Sequence, residues 1–439
     1  MTTLFIANVR ADYPDSVRTR ADLVKGTADG SDTTSRFLWH ASAGDIIVLP
    51  EIVDPRYVSY VEETLALPHH TLHVVEVNEL LTDDVLLRPR MLETLKHSID
   101  RNNVLRVQPF VQTRGTVALA SALGAVAEPG LHFAHENGVD MLNSKATFRK
   151  LAAGVGVPIA QGCAVRSKRE LCTELIRLQK LDRPLIAKHD HAGGGHGNLI
   201  LSTENAVRSE FPGAREFISL GRPVEELANL LWSELTDSSY STVTLEVYEE
   251  AIARFYLEYD LGDQAPRLVS TGSIRYGEPS AEIPPQWIGL DIPFGLGATD
   301  GTNAVSQGQL IVSAVHALGY KGMLNVDGIV TPVGEPVFQE INARWGGGLV
   351  YDVIGRRLVG ASYSRSHLLR SLLDTPKADF AVLHDRLIAA DVHYSHERGS
   401  GALILGTRSD LADGSEILLI TATENDMDEL ESAVRSALA

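Results

Sequence analysis

The chain has 439 residues, 44% hydrophobic and 22% charged, with a formal net charge of -18 and only two cysteines. That length exceeds one ordinary core and predicts two or three domains of a globular protein. The acidic balance, with no run of lysines or arginines, excludes a nucleic-acid or anionic-membrane binder and requires any phosphate site to be local.

Taken in chain order, LFIANV, GDIIVLP and LHVVEV read as strands, and YVSYVEETLAL and VLLRPRMLETLKHSI as helices. This alternation predicts an open α/β domain with a parallel sheet over residues 1–135. No G-x-G-x-x-G follows the first strand, so no dinucleotide site is expected there. The opening MTTLFIANVRAD lacks a basic n-region and reads as a strand, not a signal peptide. The apolar stretch TVALASALGAVAEPG falls short of the roughly 18 residues of a membrane span and suits a packed helix. A cytoplasmic location is expected by elimination. Cys163 and Cys172 fit neither C-x-x-C nor zinc spacing and read as reduced, inert thiols.

Residues 136–377 are expected to form a larger central unit. NSKATFRKLAAGVGVP reads as a helix with Asn143 or Ser144 as N-cap, closed by glycine and Pro158. Two strands around a glycine loop follow at RPLIAKHDHAGGGHGNLILS, then a strand-rich block over 241–276 and a helix at QGQLIVSAVHALGY. Residues 378–439, with the apolar runs ADFAVL, GALILG and EILLIT and the acidic helix DMDELESAVRSALA, read as a small C-terminal α/β domain. The expected fold class is α/β (α+β).

The stretch FQEINAR puts Glu340, Asn342 and Arg344 on alternate positions, hence on one face of a strand. TPVGEP marks the turn before it. With Val333 and Gly334 central and Pro332 opposite Glu335, Asp327 falls opposite Glu340 and Asn325 opposite Asn342, their Cβ atoms about 5 Å apart. Two carboxylates that close repel by roughly 3 kcal/mol at an effective dielectric near 20. A hard cation such as Mg²⁺, bound through carboxylates and substrate phosphates, would offset that repulsion. A solvated sheet face on which Arg344 neutralises Glu340 is the alternative, and a one-residue slip would turn one strand over.

A second phosphate signal lies in PLIAKHDHAGGGHGNLILS, where a strand ends at Lys188 and a loop carries Gly193, Gly194, Gly195 and Gly197. Such glycines let backbone N–H groups cradle an anion. The order strand, loop, strand excludes a Walker A loop and a dinucleotide fingerprint. His189, His191 and His196 invite a metal, but no further ligand cluster lies near them in sequence, and solvated or phosphate-facing histidines are expected. A plain surface loop is the alternative reading of the glycines.

Lys145 in N-S-K, Lys188 before A-G-G-G-H-G, Asp327, and Glu340, Asn342 and Arg344 in E-I-N-A-R form an ordered set that resembles the ATP-grasp superfamily of ligases. The resemblance implies that Lys145 and Lys188 meet the phosphates of ATP under a loop of Gly193, Gly194, Gly195, His196 and Gly197. It implies that Asp327, Glu340 and Asn342 hold Mg²⁺, with Mn²⁺ as the alternative ion. Arg344 would assist the transferred phosphoryl group, its other reading being a structural partner of Glu340. An adenine hinge is implied after a strand ending in an acid, and TLEVYEE supplies Glu246, Val247 and Tyr248, although an edge strand with solvated acids would look the same. TSRFLWHASAGDIIVLPEIVDPRYVSY with FVQTRGTVALASALG resembles the pre-ATP-grasp domain of the pheganomycin-type peptide ligases, and ADVHYSHERGSGALILG their small C-terminal domain.

These likenesses imply an ATP-dependent carboxylate-amine ligase that makes an amide or peptide bond through an acyl phosphate, in peptide natural-product (antibiotic) biosynthesis. The expected catalytic residues are Arg344, Lys188 and, as a clamp for a substrate carboxylate, Arg275 of STGSIRYG; no general base is assigned. The expected partners are small-molecule or peptide substrates, a carboxylate and an amine, with a homodimer as the assembly and neither nucleic acid nor membrane. Two readings compete: a ligase or carboxylase acting on a primary-metabolism acid, and an ATP-binding protein without turnover. The complete set of acids, amide and arginine argues against the second, since a binder needs no second metal carboxylate.

Overall fold

The computed structural model describes residues 1–9, 11, 34–99, 105–126, 130–192, 197–203, 210–214, 216–237, 241–278, 284–295, 298–406 and 415–439. β1 (Thr2–Ile6), β2 (Ile46–Leu49), β3 (His73–Glu76) and β4 (Leu105–Pro109) form a parallel sheet in the order β3-β2-β1-β4. Parallel neighbours need crossovers. The helix α1 (Pro55–Thr64) joins β2 to β3, α2 (Pro89–Ser98) lies between β3 and β4, and α3 (Arg114–Ala122) follows β4. The single helix expected over VLLRPRMLETLKHSI is interrupted. A helical turn at Asp83–Leu86 ends, and α2 starts with Pro89 in its first turn, where the missing N–H removes no bond.

The second sheet contains β5 (Gly162–Val165), β6 (Leu185–His189), β7 (Asn198–Ser202), β8 (Glu216–Ser219) and β9 (Val243–Val247) in the order β5-β9-β6-β7-β8. α4 (Lys145–Gly154) precedes it, and α5 (Lys168–Gln179) and α6 (Val224–Leu235) share its core through Leu171, Leu175, Leu227 and Leu231. TLEVYEE is therefore no edge strand. β9 lies between β5 and β6 with all five residues buried.

The third sheet is antiparallel. It comprises β10 (Ala253–Leu261), β11 (Arg267–Tyr276), β12 (Trp287–Ile292), β13 (Gly322–Val330), β14 (Pro336–Asn342), β15 (Leu368–Leu372), β16 (Gly401–Gly406) and β17 (Glu416–Thr421), in the order β14-β13-β10-β11-β12-β15-β17-β16. α7 (Ala298–Ala317) packs across β10, β13 and β14, and α8 (Leu349–Leu358) follows β14. The run ADFAVL leads into α9 (Phe380–Ala389), whereas GALILG and EILLIT are β16 and β17, the latter hydrogen-bonded onto β15, before α10 (Glu424–Leu438). The C-terminal residues thus continue the central sheet.

The N-terminal unit shares the main core with this sheet. Phe37, in a 3₁₀ segment at Thr34–His40, stacks on Trp345 just beyond β14, with ring centroids 5.2 Å apart and planes 13° apart. Among the described residues no helix is long and apolar enough to cross a membrane. Burial, followed by the nearby Glu174, pushes the Cys163 thiol up to about 11, which keeps it protonated.

Candidate active site

In the β13–β14 hairpin Asp327 pairs with Glu340 and Asn325 with Asn342, as expected, but by a different route. The turn sits one residue away from its expected register: Thr331 N–H donates to Glu335 and Gly334 N–H to Thr331, and Val330 pairs with Pro336. A bulge then restores the pairing, because Gly328 pairs with Phe338 and Asp327 with Glu340, leaving Gln339 as the extra residue. Were β14 regular past Phe338, Glu340 and Asn342 would enter the core and Ile341 would face outward. Instead Phe338 and Ile341 are buried in the core, while Asn325, Asp327, Glu340, Asn342 and Arg344 line one cavity.

The two acids do not titrate alike. Burial, then the charge of Glu340, pushes the Asp327 carboxyl well above the usual range. Burial also works to raise Glu340, but Lys145, with Nζ 3.0 Å from Oε2, and then Lys188 and Arg344 outweigh it and hold Glu340 low. A proton on Asp327 beside an ionised Glu340 is the arrangement that avoids two charges in contact. Asn342 Nδ2 donates to Asp327 Oδ2 at 2.9 Å, while its Oδ1 accepts from Arg344 at 3.2 Å. As placed, Asn342 turns nitrogen toward the acids, so ligation of a metal by this residue requires its amide to rotate.

Beneath this layer Glu258, fully buried on β10, accepts from Gly346 N–H at 2.8 Å and from Asn325 Nδ2 at 3.3 Å. Desolvation raises its pKa from 4.5 to about 7 despite those bonds. The folded protein therefore keeps a proton that the unfolded chain loses above about pH 4.5. Relative to Glu258→Gln, wild-type stability should be fully present below that pH and fall by up to ~3 kcal/mol as pH rises to about 7. Chemical unfolding of both proteins at about pH 5 and about pH 8 measures this, and an unchanged difference between them would exclude it.

The N-S-K turn, with Ser144 as the N-cap that the sequence offers, is anchored on both sides by partners that no local signal marks. Asn143 Oδ1 accepts from Ala343 N–H at 2.7 Å, tying the turn to the end of β14. Ser144 caps α4 and donates to Asp190 Oδ2 at 2.9 Å, and Asp190 also accepts from Ala146 N–H at 2.8 Å. These bonds aim Lys145 between Ala192 O, at 2.6 Å, and Glu340.

Lys188 Nζ lies 2.7 Å from Glu246 Oε2, and Arg149 of α4 grips the other oxygen of Glu246. Glu246, Val247 and Tyr248 line the same cavity, yet the N–H groups of Val247 and Tyr248 already donate to Gln161 and Pro184. Two backbone donors expected to face a base are thus committed elsewhere, because β9 is flanked on both sides. Gly193, Gly194, Gly195 and His196 lie outside the described residues. Gly197 is described, and a Cβ there would come within 2.7 Å of His189 and Ala192, so this close return of the chain requires glycine. His189 is held neutral, its pKa lowered to about 4 by burial and then by Lys145.

Arg275 departs from expectation. Ile274 and Tyr276 line the cavity, so the residue between them on β11 faces away. Its guanidinium lies 3.0 Å from Glu431 of α10 and bonds Ser371 O, tying β11 to the C-terminal helix. Arg275→Gln should leave kcat/KM within about twofold of wild type and lower unfolding stability by about 1–2 kcal/mol. A large rise in substrate KM would restore the clamp reading. Sequence reasoning also missed Val9, Arg36 and Phe110, which reach the cavity from the N-terminal unit; Phe110 packs under the Arg344 guanidinium, 5.3 Å from ring centre to Cζ.

The cavity has a volume of about 500 Å³, and its lining includes both lysines and the facing acids. Among the described residues no group of three or more His, Cys, Asp or Glu is placed to hold a metal. Two hard carboxylates with an amide beside them nevertheless fit Mg²⁺, an ion commonly held by one or two carboxylates with phosphates completing its shell.

A family model described as a pre-ATP-grasp domain matches residues 34–125. No curated protein matches the sequence. Among solved structures, the ADP complex of N5-carboxyaminoimidazole ribonucleotide synthetase superposes with a TM-score of 0.58 at 12% identity, covering 99% of this chain and 96% of that one. An L-amino acid ligase from Bacillus licheniformis gives 0.57 at 10% identity, over 99% and 97%. A biotin carboxylase from Campylobacter jejuni gives 0.57 at 12%, over 98% and 90%. Identities this low carry the fold and not the reaction: the chain has a pre-ATP-grasp domain and the fold of the ATP-grasp ligases.

Proposed function

We propose that the protein is an ATP-dependent carboxylate-amine ligase, forming an amide or peptide bond through an acyl phosphate and releasing ADP and phosphate. The observation that carries this reading is the facing pair Asp327 and Glu340, flanked by Lys145 and Arg344, in one cavity with Lys188. A simple binding protein has no use for a carboxylate pair so costly to bury. Structures of the same fold that hold ADP or ATP, and one named as an L-amino acid ligase, support the nucleotide and the reaction class. The finer reading, synthesis of a peptide natural product, rests on the likeness of the N- and C-terminal segments to pheganomycin-type ligases, and a cytoplasmic location rests only on elimination from the sequence.

In this reading residues 136–377 hold nucleotide and metal, flanked by a domain at 1–135 and a small one at 378–439. Lys145 and Lys188 orient the phosphates. Asp327 and Glu340, with Asn342 after rotation of its amide, would hold Mg²⁺. When bound, that ion neutralises phosphate charge. Arg344 presents a planar fork of donors to charge developing on the transferred group.

The test is to incubate the protein with ATP, Mg²⁺ and pooled carboxylates and amines, then measure ADP and search for a product mass equal to acid plus amine less water. ATP bound but never turned over with any pool would sink the proposal in favour of a non-catalytic binder.

A further inference from the structure

Arg254, the second residue of β10, lines the cavity, and among the described residues no acid lies within ion-pair distance of it. Its guanidinium rests over the Tyr276 ring, 5.1 Å from Cζ to ring centre, and its Nη2 reaches the Tyr248 hydroxyl at 3.5 Å, a weak contact that cancels no charge. Other cations of the cavity are already engaged: Lys145 with Glu340, Lys188 with Glu246 and Arg36 with Glu416. Glu249, which also lines the cavity, is bonded to Arg183 at 2.8 Å, and Glu250 is exposed.

The register sets this cation apart from the metal site. Tyr256 pairs with Asp327 and Arg254 with Ile329, so Arg254 stands two residues, about 7 Å, along β10 from the row of acids. β11 runs antiparallel with Phe255 opposite Ser273, which puts Tyr276 beyond Arg254 on the side away from Asp327. The guanidinium leans that way. The Tyr276 hydroxyl has no hydrogen-bond partner among the described residues, and burial pushes this phenol up to about 12, so it remains a donor. Burial raises the Tyr248 phenol as well. Gly213 N–H donates to Pro285 O at 3.1 Å, and a Cβ at Gly213 would lie 3.1 Å from the Tyr276 hydroxyl, so backbone closes over the tyrosines. Three donors, one of them charged, thus meet without an acidic acceptor among the described residues. An oxyanion matches such a set, since a guanidinium offers it two parallel N–H groups.

We propose that Arg254, with the hydroxyls of Tyr276 and Tyr248, binds a ligand oxyanion, a phosphate or a carboxylate, separate from the group being transferred. This deepens the ligase reading and rests on it for what enters the cavity. Two sources carry that chemistry: the phosphate nearest the sugar of the nucleotide, and a second carboxylate on the acid substrate. A neutral sugar or an uncharged side chain would leave the guanidinium unpaired.

Isothermal calorimetry on the full chain tests the subsite and tells the sources apart. One arm compares AMP with adenosine. The other, with ADP and Mg²⁺ present, compares succinate, glutarate and adipate with their monomethyl esters. In at least one arm the more anionic ligand should bind about tenfold or more tighter than its control. Arg254→Gln should remove most of that preference while thermal unfolding stays as in wild type, a combination that a merely structural arginine would not give. Should that variant fail to fold, Tyr276→Phe, which keeps the ring under the guanidinium and loses one donor, should lower the preference about two- to fivefold. No preference in either arm, a preference that survives in the variants, or adenosine weakened as much as AMP by Arg254→Gln would overturn the inference. Selective binding without ADP release in the turnover assay would remove the ligase reading and leave the subsite standing; turnover without selective binding would do the reverse.

Discussion

Glu340→Gln is expected to reduce ADP formation to about one-thousandth of wild type or less, and Asp327→Asn to do the same, with the fold intact. Glutamine keeps the shape of Glu340 but replaces one carboxylate oxygen with a donor, which a hard cation cannot use. Stability should not fall with activity. Glu340 and Asp327 are paired across the strands, and neutralising one removes the like charge that helps push Asp327 out of the usual carboxylate range. Against that gain stands the lost ion pair with Lys145, whose Nζ keeps its bond to Ala192 O. Far-UV circular dichroism and thermal unfolding should match wild type while coupled-assay turnover disappears. Turnover within tenfold of wild type in either variant would remove both residues from the metal site.

The pairing of Asp327 with Glu340 was legible because strands alternate and turns have a short vocabulary, yet the local reason was incomplete. The turn is displaced by one residue, and only the bulge at Gln339 brings the acids back into register. Nothing in VFQEIN announces a bulge, since its cause is tertiary: Phe338 and Ile341 both need the core. Arg275 shows the opposite failure. Alternation states that neighbours face opposite ways, but not which of them meets the cavity, and the choice depended on Glu431, far away in α10. The partners that anchor the N-S-K turn were invisible for the same reason, as Asn143 and Ser144, both legible as cap candidates, bond Ala343 and Asp190 across long sequence separations. Order and type of element came through well because hydrophobic period is a local property. The strand order of the third sheet, in which β16 and β17 continue the central strands, is not local and left no trace in composition.

Lys188→Ala is expected to weaken ATP binding about 10- to 100-fold, the range of one or two charge-assisted hydrogen bonds to phosphate. It is the more interpretable of the two lysine variants because of what each lysine leaves behind. Removing Lys145 takes from Glu340 its closest cation, so lost binding would mix with disturbance of the facing acids. Removing Lys188 strands Glu246 less, because Arg149 still grips that carboxylate and is itself fixed by the carbonyls of Ala160 and Gly162. The β9 strand beneath stays flanked by β5 and β6, so thermal unfolding should fall only slightly. Calorimetry with ATP and Mg²⁺ then reads the phosphate contact almost alone. Equal affinity in wild type and variant would show that Lys188 serves only as the counter-ion of Glu246 and would detach the glycine loop that follows it from the nucleotide.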